Sequence, residues 1–485
     1  MTRIHHLALV GFLLLPLYSR SETSREAIAR ATAAVAAATP RAQADPAHPI
    51  FHVASPAQWM NDPNGPIFYR GYYHLFYQLT PFSDQSGVKY WGHVRSRDLV
   101  KWEHLPIAIA PSDDLGEASI WSGCCTINGE GRPMIFYTSI GKGKSPFDQA
   151  EQWAATSDDN LIHWQKSSAN PVLTDAVNNG TNIYDWRDPF IFKDGGKTFM
   201  VLGGHLAKDG QAAVNIYEAE NPAFTQWKYR GVLFQIPGAP TAECPNFFKL
   251  GDEWVLFVSP YGKVQYFIGS FDATTCRFTA HTNGLLDYGP DFYAPNTMQL
   301  SDGRRLVWGW VKGFPDGRGW NGCLSLPRQL SLSPDGRLCQ KPAPQLHRLR
   351  GQPARLQNVS LTDHPEMLSL PRTNTLEIQA ELELKTAKGV ALELRSDAET
   401  GPAITVRLDR ENLKVLGINA PLHSAGKLNL RIFLDRSVVE IFANDSVCIT
   451  KTIQPPGSNA TLEIHALGGK ASLQRLDAWP MKTIW

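Results

Sequence analysis

The chain has 485 residues, 43% of them hydrophobic and 19% charged, with a formal net charge of +1. That length gives two or more domains and ample core. The near-neutral balance excludes the strongly basic surface that a nucleic acid or an anionic membrane would require.

The N-terminus opens with MTRIHH and continues into the 12-residue apolar run LALVGFLLLPLY. The run is too short to span a bilayer and fits a secretory signal, with Ser19 and Ser21 as small residues before a cut near Glu22. Residues 1–21 are therefore expected to be a signal peptide and the mature protein to be secreted, extracellular or periplasmic. No later run is long enough for a membrane helix. The Ala-rich stretch 22–45 lacks an apolar stripe and reads as a linker or a short, exposed helix. The seven cysteines are scattered and odd in number, which is no disulfide framework.

From residue 46 onward almost everything reads as strand and turn. One pattern of apolar run, tight glycine turn and apolar run occurs five times. The copies are PIFYRGYYHLFYQ (66–78), TINGEGRPMIFYTS (126–139), FIFKDGGKTFMVLGG (190–204), FFKLGDEWVLFVS (247–259) and MQLSDGRRLVWGWV (298–311). Their turns fall at Gly71, Gly131, Gly195, Gly251 and Gly303, spaced 52 to 64 residues apart. A second marker, a Trp closing each of SRDLVKW, SDDNLIHW and NPAFTQW, keeps similar time at Trp102, Trp164 and Trp227. Two markers in phase at this period predict a five-bladed β-propeller over 46–335. Residues 336–358, rich in Pro, Gln and Arg, read as a linker without a long strand. Residues 359–485 alternate with period two, as in TLEIQAELELK, GVALELRS and LNLRIFLDRSVVEIF, and predict an antiparallel β-sandwich. The fold class is all-β.

The stretch WMNDPNG (59–65) poses the functional question, because Asp-Pro-Asn-Gly is a strong turn signal. Comparing what precedes each hairpin changes the reading. The first copy has Asp62-Pro63, the third Arg187-Asp188-Pro189 and the fourth Glu243-Cys244-Pro245. A recurring Pro suits the first residue of a strand. In a propeller the innermost strands start beside the central axis, so Asp62, Asp188 and Glu243 are expected to converge at one mouth. A turn-forming Asp explains one such site; it does not explain acids in three of five corresponding places. Zinc-type His or Cys spacing, a phosphate-binding Gly loop and a nucleophile elbow are all missing from the sequence. No metal or cofactor is expected. Convergent carboxylates fit glycoside hydrolysis, which needs one acid to protonate the leaving oxygen and a second as nucleophile or base.

Taken together, WMNDPNG, WSG (121–123), RDP (187–189), EC (243–244), DYGPDFYAP (287–295), WGW (308–310), GWNGCLSLPRQL (319–330) and LRIFLDRSVVEIFAND (430–445) resemble glycoside hydrolase family 32, the β-fructosidases. The likeness runs from about residue 50 to the C-terminus. It implies a five-bladed propeller followed by a β-sandwich, and retaining cleavage of terminal β-D-fructofuranosyl bonds in sucrose or fructans such as levan and inulin. It implies Asp62 as nucleophile, Glu243 as acid and then base, and Asp188 as stabiliser, with Arg187 beside it. Retention implies carboxyls of Asp62 and Glu243 about 5–5.5 Å apart. Trp59, Asn61, Gln78, Trp91, Trp121, Ser122 and Trp310 are marked as lining the fructose pocket. Two details differ from the commoner family pattern. Cys124-Cys125 follow WSG, and Ala242 stands before Glu243 where Trp is usual, which leaves the rim less aromatic. A fructosyltransferase on the same fold keeps all three acids; an inactive carbohydrate-binding protein would have lost one.

Overall fold

The computed structural model describes residues 22–145, 147–396, 402–422, 424 and 426–485. The expected signal peptide lies outside these residues. Five antiparallel sheets follow one another along the chain, each running outward from an inner strand. The inner strands are Gln58–Tyr69, Glu117–Ile127, Ile183–Asp194, Glu243–Leu250 and Phe292–Gln299. Each packs against the inner strands of the neighbouring blades, and the fifth packs against the first, so the ring closes. A short segment, Trp320–Asn321, hooks back from blade five and pairs in parallel with Gln58 and Trp59 of blade one.

Every inner strand carries a β-bulge at its axial start. Two residues lie between paired positions in each: Asn61-Asp62, Trp121-Ser122, Asp188-Pro189, Cys244-Pro245 and Ala294-Pro295. A bulge releases two residues from the ladder and re-aims their side chains. It also gives three of the prolines a place where the absent N–H breaks no ladder bond. Asp62-Pro63-Asn64-Gly65 is therefore no hairpin turn but the bulged interior of a 12-residue strand. Gly65 has φ +46° there, and a Cβ on it would lie 2.7 Å from the Cβ of Cys125 in blade two. The bulges also correct the expected equivalence of the three acids. Asp188 shares its place with Cys244 and Ala294, whereas Glu243 is the last paired residue before its bulge, as are Arg187 and Tyr293.

Residues 24–44, read from sequence as a linker or short exposed helix, form a 21-residue α-helix. Thr23 and Glu26 make a reciprocal capping box. The buried stripe is Ala27, Ala31, Val35 and Ala42, spaced for one helical face but made of small residues, so it carries little hydrophobic contrast. Small side chains let the helix lie close against the outer strand of blade one, Trp102–Ile109.

The 336–358 linker is likewise corrected. It holds the outer strand of blade five, Leu338–Pro342, and the start of the first sandwich strand, Ala354–Leu361. A five-residue strand is too short to show a period. The C-terminal domain is two six-stranded sheets packed face to face over a core of Leu, Ile, Val and Ala.

The two domains share a buried polar seam. Asp435 accepts the backbone N–H groups of Ile50, Phe51 and His52, and His52 Nδ1 lies 2.8 Å from its Oδ2. His52 Nε2 is 3.0 Å from Glu440, and Glu440 pairs with Arg328 at 2.6 Å. Arg328 also pairs with Asp287 at 2.9 Å. Burial opposes charge on His52, but the hydrogen bonds and charges of Asp435 and Glu440 outweigh it and raise its pKa to about 9.

Candidate active site

The bulges bring side chains from all five blades to one mouth of the ring. Blade one supplies Asn61 and Asp62. The Asn61 amide donates to Asp62 Oδ1 at 3.0 Å and to Gln78 Oε1 at 2.5 Å. Gln78 Nε2 donates to Ser122 Oγ at 2.7 Å, and Ser122 donates to Asp62 Oδ2 at 2.6 Å. Asp62 is thus held at both oxygens by one closed circuit of amide and hydroxyl groups. That circuit fixes the carboxylate's orientation without a cation in direct contact, which suits a group that must be free to bond a substrate carbon.

Blade three supplies Asp188, with a backbone φ of +62°. Its Oδ2 accepts the N–H of Cys244 at 2.9 Å, and its own N–H donates to Thr138 Oγ1 at 2.9 Å. Cys244 Sγ stands between two carboxylates, 3.6 Å from Asp62 and 3.5 Å from Asp188. Burial and the surrounding negative charge hold this thiol well above its usual pKa, so it stays protonated and separates the two acids. Burial raises Asp188 to about 6, with Arg187 opposing and Asp62 adding to the rise.

Glu243 sits nearer the opening, its side chain 17% exposed against 7% for Asp188. Arg187 Nη2 donates to its Oε1 and the Tyr293 hydroxyl donates to its Oε2. Burial nevertheless pushes Glu243 up to about 8, helped by the charges of Asp188 and Asp62 and opposed by Arg187 and Tyr293. A carboxyl in that range is protonated near neutral pH and can act as a general acid. Arg187 is itself anchored, with Nη1 2.8 Å from Asp185, Nη2 2.7 Å from the Tyr261 hydroxyl and its guanidinium 5.0 Å from the Trp121 ring centre.

Of the residues marked for the fructose pocket, Asn61, Gln78, Ser122, Trp121 and Arg187 all join this constellation. Trp59 and Trp310 pack edge to face at 5.7 Å, and Trp59 Nε1 donates to Asn61 Oδ1 at 3.0 Å. Trp91 differs. It is fully buried, lies against Phe76 and Tyr137, and donates its Nε1 to the carbonyl of Trp121 at 3.0 Å. It supports the pocket floor from beneath and does not line the pocket. Ala242 is also fully buried, so it is no part of the rim. A Cβ on Gly203 would come within 1.6 Å of its carbonyl oxygen, so the two strands approach here more closely than any side chain at 203 would allow.

Sequence reasoning missed Asp185, Tyr261, Tyr293 and Lys89. Asp185 accepts from Thr241 and Tyr261 and orients Arg187. Lys89 is buried, its ammonium donates among the described residues to the hydroxyls of Thr80 and Ser86 alone, and it lies 5.3 Å from the Trp59 ring centre. Burial lowers its pKa to about 8. Tyr293 lay inside DYGPDFYAP, and its place before Ala294-Pro295, matching Glu243 before Cys244-Pro245, was the available signal.

The family model for the Glycosyl hydrolases family 32 N-terminal domain matches residues 52–342, and that for the C-terminal domain matches residues 345–480. A sucrose-6-phosphate hydrolase of Zymomonas mobilis is 33% identical, over 90% of this chain and 92% of its own length. A levanase of Bacillus subtilis is also 33% identical, over 90% of this chain and 71% of its own. A Bombyx mori GH32 beta-fructofuranosidase mutant, solved in complex with sucrose, superposes with a TM-score of 0.81 at 28% identity, covering 94% of this chain and 98% of that one. With both domains matched end to end over the ring of acids described above, the chain belongs to glycosyl hydrolases family 32 and is a glycoside hydrolase.

Proposed function

We propose that this enzyme is an exo-acting, retaining β-fructofuranosidase that releases fructose from sucrose or fructans. The observation that carries the reading is the difference between two neighbouring carboxyls. Asp62 is oriented by neutral donors at both oxygens, while burial holds Glu243 up to about 8. Asp62 attacks the anomeric carbon of the terminal fructosyl unit as Glu243 gives its proton to the departing oxygen. The product is a fructosyl-enzyme ester and a free leaving sugar. Glu243, now a carboxylate, takes a proton from water, which attacks the same carbon and returns Asp62. Asp188, ionised above its pKa of about 6, binds ring hydroxyls and gains strength as positive charge develops on the sugar.

Sucrose, inulin and levan belong in the first assay, with sucrose 6-phosphate as a fourth substrate because of the Zymomonas relative. Free fructose as the main product supports the reading. Longer oligofructosides with little free fructose would replace hydrolysis by fructosyl transfer. Asp62→Ala and Glu243→Gln are expected to fold normally and lose most activity; near wild-type turnover in either removes that residue's role. The apolar run at 7–18 supports secretion, and N-terminal sequencing of exported protein checks it: a mature chain starting near Glu22 is expected.

A further inference from the structure

The five inner strands run away from the acids and end around a second cavity, of about 420 Å³, at the opposite mouth of the ring. Its lining includes Lys193, Lys249 and Arg305, and among the described residues that line it none is acidic. Arg305 is the informative member. It is only 8% exposed, yet no carboxylate among the described residues pairs with it. Its Nη1 donates to Thr297 Oγ1 at 3.1 Å and its Nη2 to Gln299 Oε1 at 3.4 Å. Its Nε, buried from solvent, has no hydrogen-bond partner among the described residues. The guanidinium carbon lies over the Phe248 ring, 4.2 Å from its centre. Burying a cation beside neutral groups alone is costly, and the other buried guanidinium groups among the described residues, Arg187 and Arg328, are each matched by two carboxylates. Arg305 is thus a largely buried guanidinium without a countercharge, flanked by two exposed lysines that have no acidic partner among the described residues, of which Lys193 donates to the carbonyl of Ile127 at 3.3 Å.

We propose that this distal mouth binds a small oxyanion of phosphate type, either free phosphate or the phosphoryl group of a sugar phosphate. A guanidinium presents parallel donors that match phosphate oxygens, and charge-assisted bonds of this kind are strong. Lys249 and Lys193, exposed at the opening, draw the anion in and cap it. Lys193, Lys249 and Arg305 come from blades three, four and five, so a bound anion bridges these three blades and stabilises the ring by mass action.

The test is isothermal titration of the full chain with inorganic phosphate, and separately with glucose 6-phosphate, against chloride at matched ionic strength. One saturable site is expected. Binding of phosphate alone assigns the site to the free ion; equal or tighter binding of glucose 6-phosphate assigns it to a sugar phosphate. Arg305→Met is expected to weaken affinity at least about tenfold while fructoside cleavage persists, with Arg305→Lys intermediate. Lys249→Met, at an exposed position, serves if Arg305→Met does not fold, and is expected to weaken binding several-fold. Saturating fructose is expected to leave phosphate binding unchanged. The proposal falls if phosphate gives no saturable heat beyond chloride, if neither variant changes affinity, or if fructose displaces the anion.

Discussion

Tyr293→Phe removes one oxygen and leaves the ring in place. That oxygen donates to Glu243 Oε2, lies 3.0 Å from the carbonyl of Ser259 and accepts the N–H of Tyr261 at 3.0 Å. The hydroxyl has a single proton, so Ser259 competes for it. We therefore take the low end of a bond to a charged acceptor, about 1.4 kcal/mol, which corresponds to about one pKa unit. The bond favours ionised Glu243, so losing it moves that carboxyl from about 8 toward ~9. The first chemical step needs Glu243 protonated, so the alkaline limb of kcat/KM is expected to move up by about one pH unit. The second step needs Glu243 ionised, so kcat at neutral pH is expected to fall about tenfold wherever hydrolysis of the fructosyl-enzyme limits turnover. The assay is initial-rate kinetics on sucrose, or on the substrate the product analysis selects, across the pH range, for wild type and variant. An alkaline limb that stays put, or moves toward acid, refutes the assignment of Glu243 as the titrating acid.

Ser122→Ala breaks the circuit around Asp62 and leaves Gln78 Nε2 without its acceptor; a fall in kcat of about tenfold with little change in melting temperature is expected. Gly203→Ala must displace the carbonyl of Ala242, so chemical denaturation should show a loss of about 3 kcal/mol. His52 has a folded-state pKa near 9 against an ordinary 6.5. Its contribution is therefore fully present below pH 6.5 and lost as pH rises through about 9. Thermal melts of His52→Gln should show a smaller loss of stability across that window than wild type.

The propeller was legible because each blade repeats a hairpin with its own turn residues, and a local signal repeated in phase survives in sequence. The three acids were legible because they sit close to prolines that recur at the bulges of the inner strands. What escaped was set by contacts between blades. Tyr261 and Asp185 meet Arg187 across blades three and four, and nothing in their local sequence distinguishes them from ordinary loop and strand residues. Trp91 was misplaced because a Trp near a sugar site looks the same in sequence whether it faces the pocket or the core. The helix at 24–44 was undervalued because its buried face is alanine, which hydrophobic contrast does not reveal. Asp435 and Glu440 lay inside a recognised stretch, but their partners are some 380 and 110 residues away: His52 in one case, Arg328 in the other.

That buried seam sets a limit on modularity. The chain just before blade one is fastened by its own backbone amides to Asp435 of the sandwich, and Arg328 of blade five reaches Glu440 and Thr450. Cutting after residue 342 would strip His52 of both its countercharges, leave Arg328 with Asp287 alone, and open a polar wound beside the first and last blades, where the ring is closed. The catalytic half is therefore not a portable cassette. The two domains must be moved, expressed and inherited as a single unit, and recombination between relatives is expected to succeed only where the crossover carries residues 50–52, 287, 328, 435 and 440 from one parent.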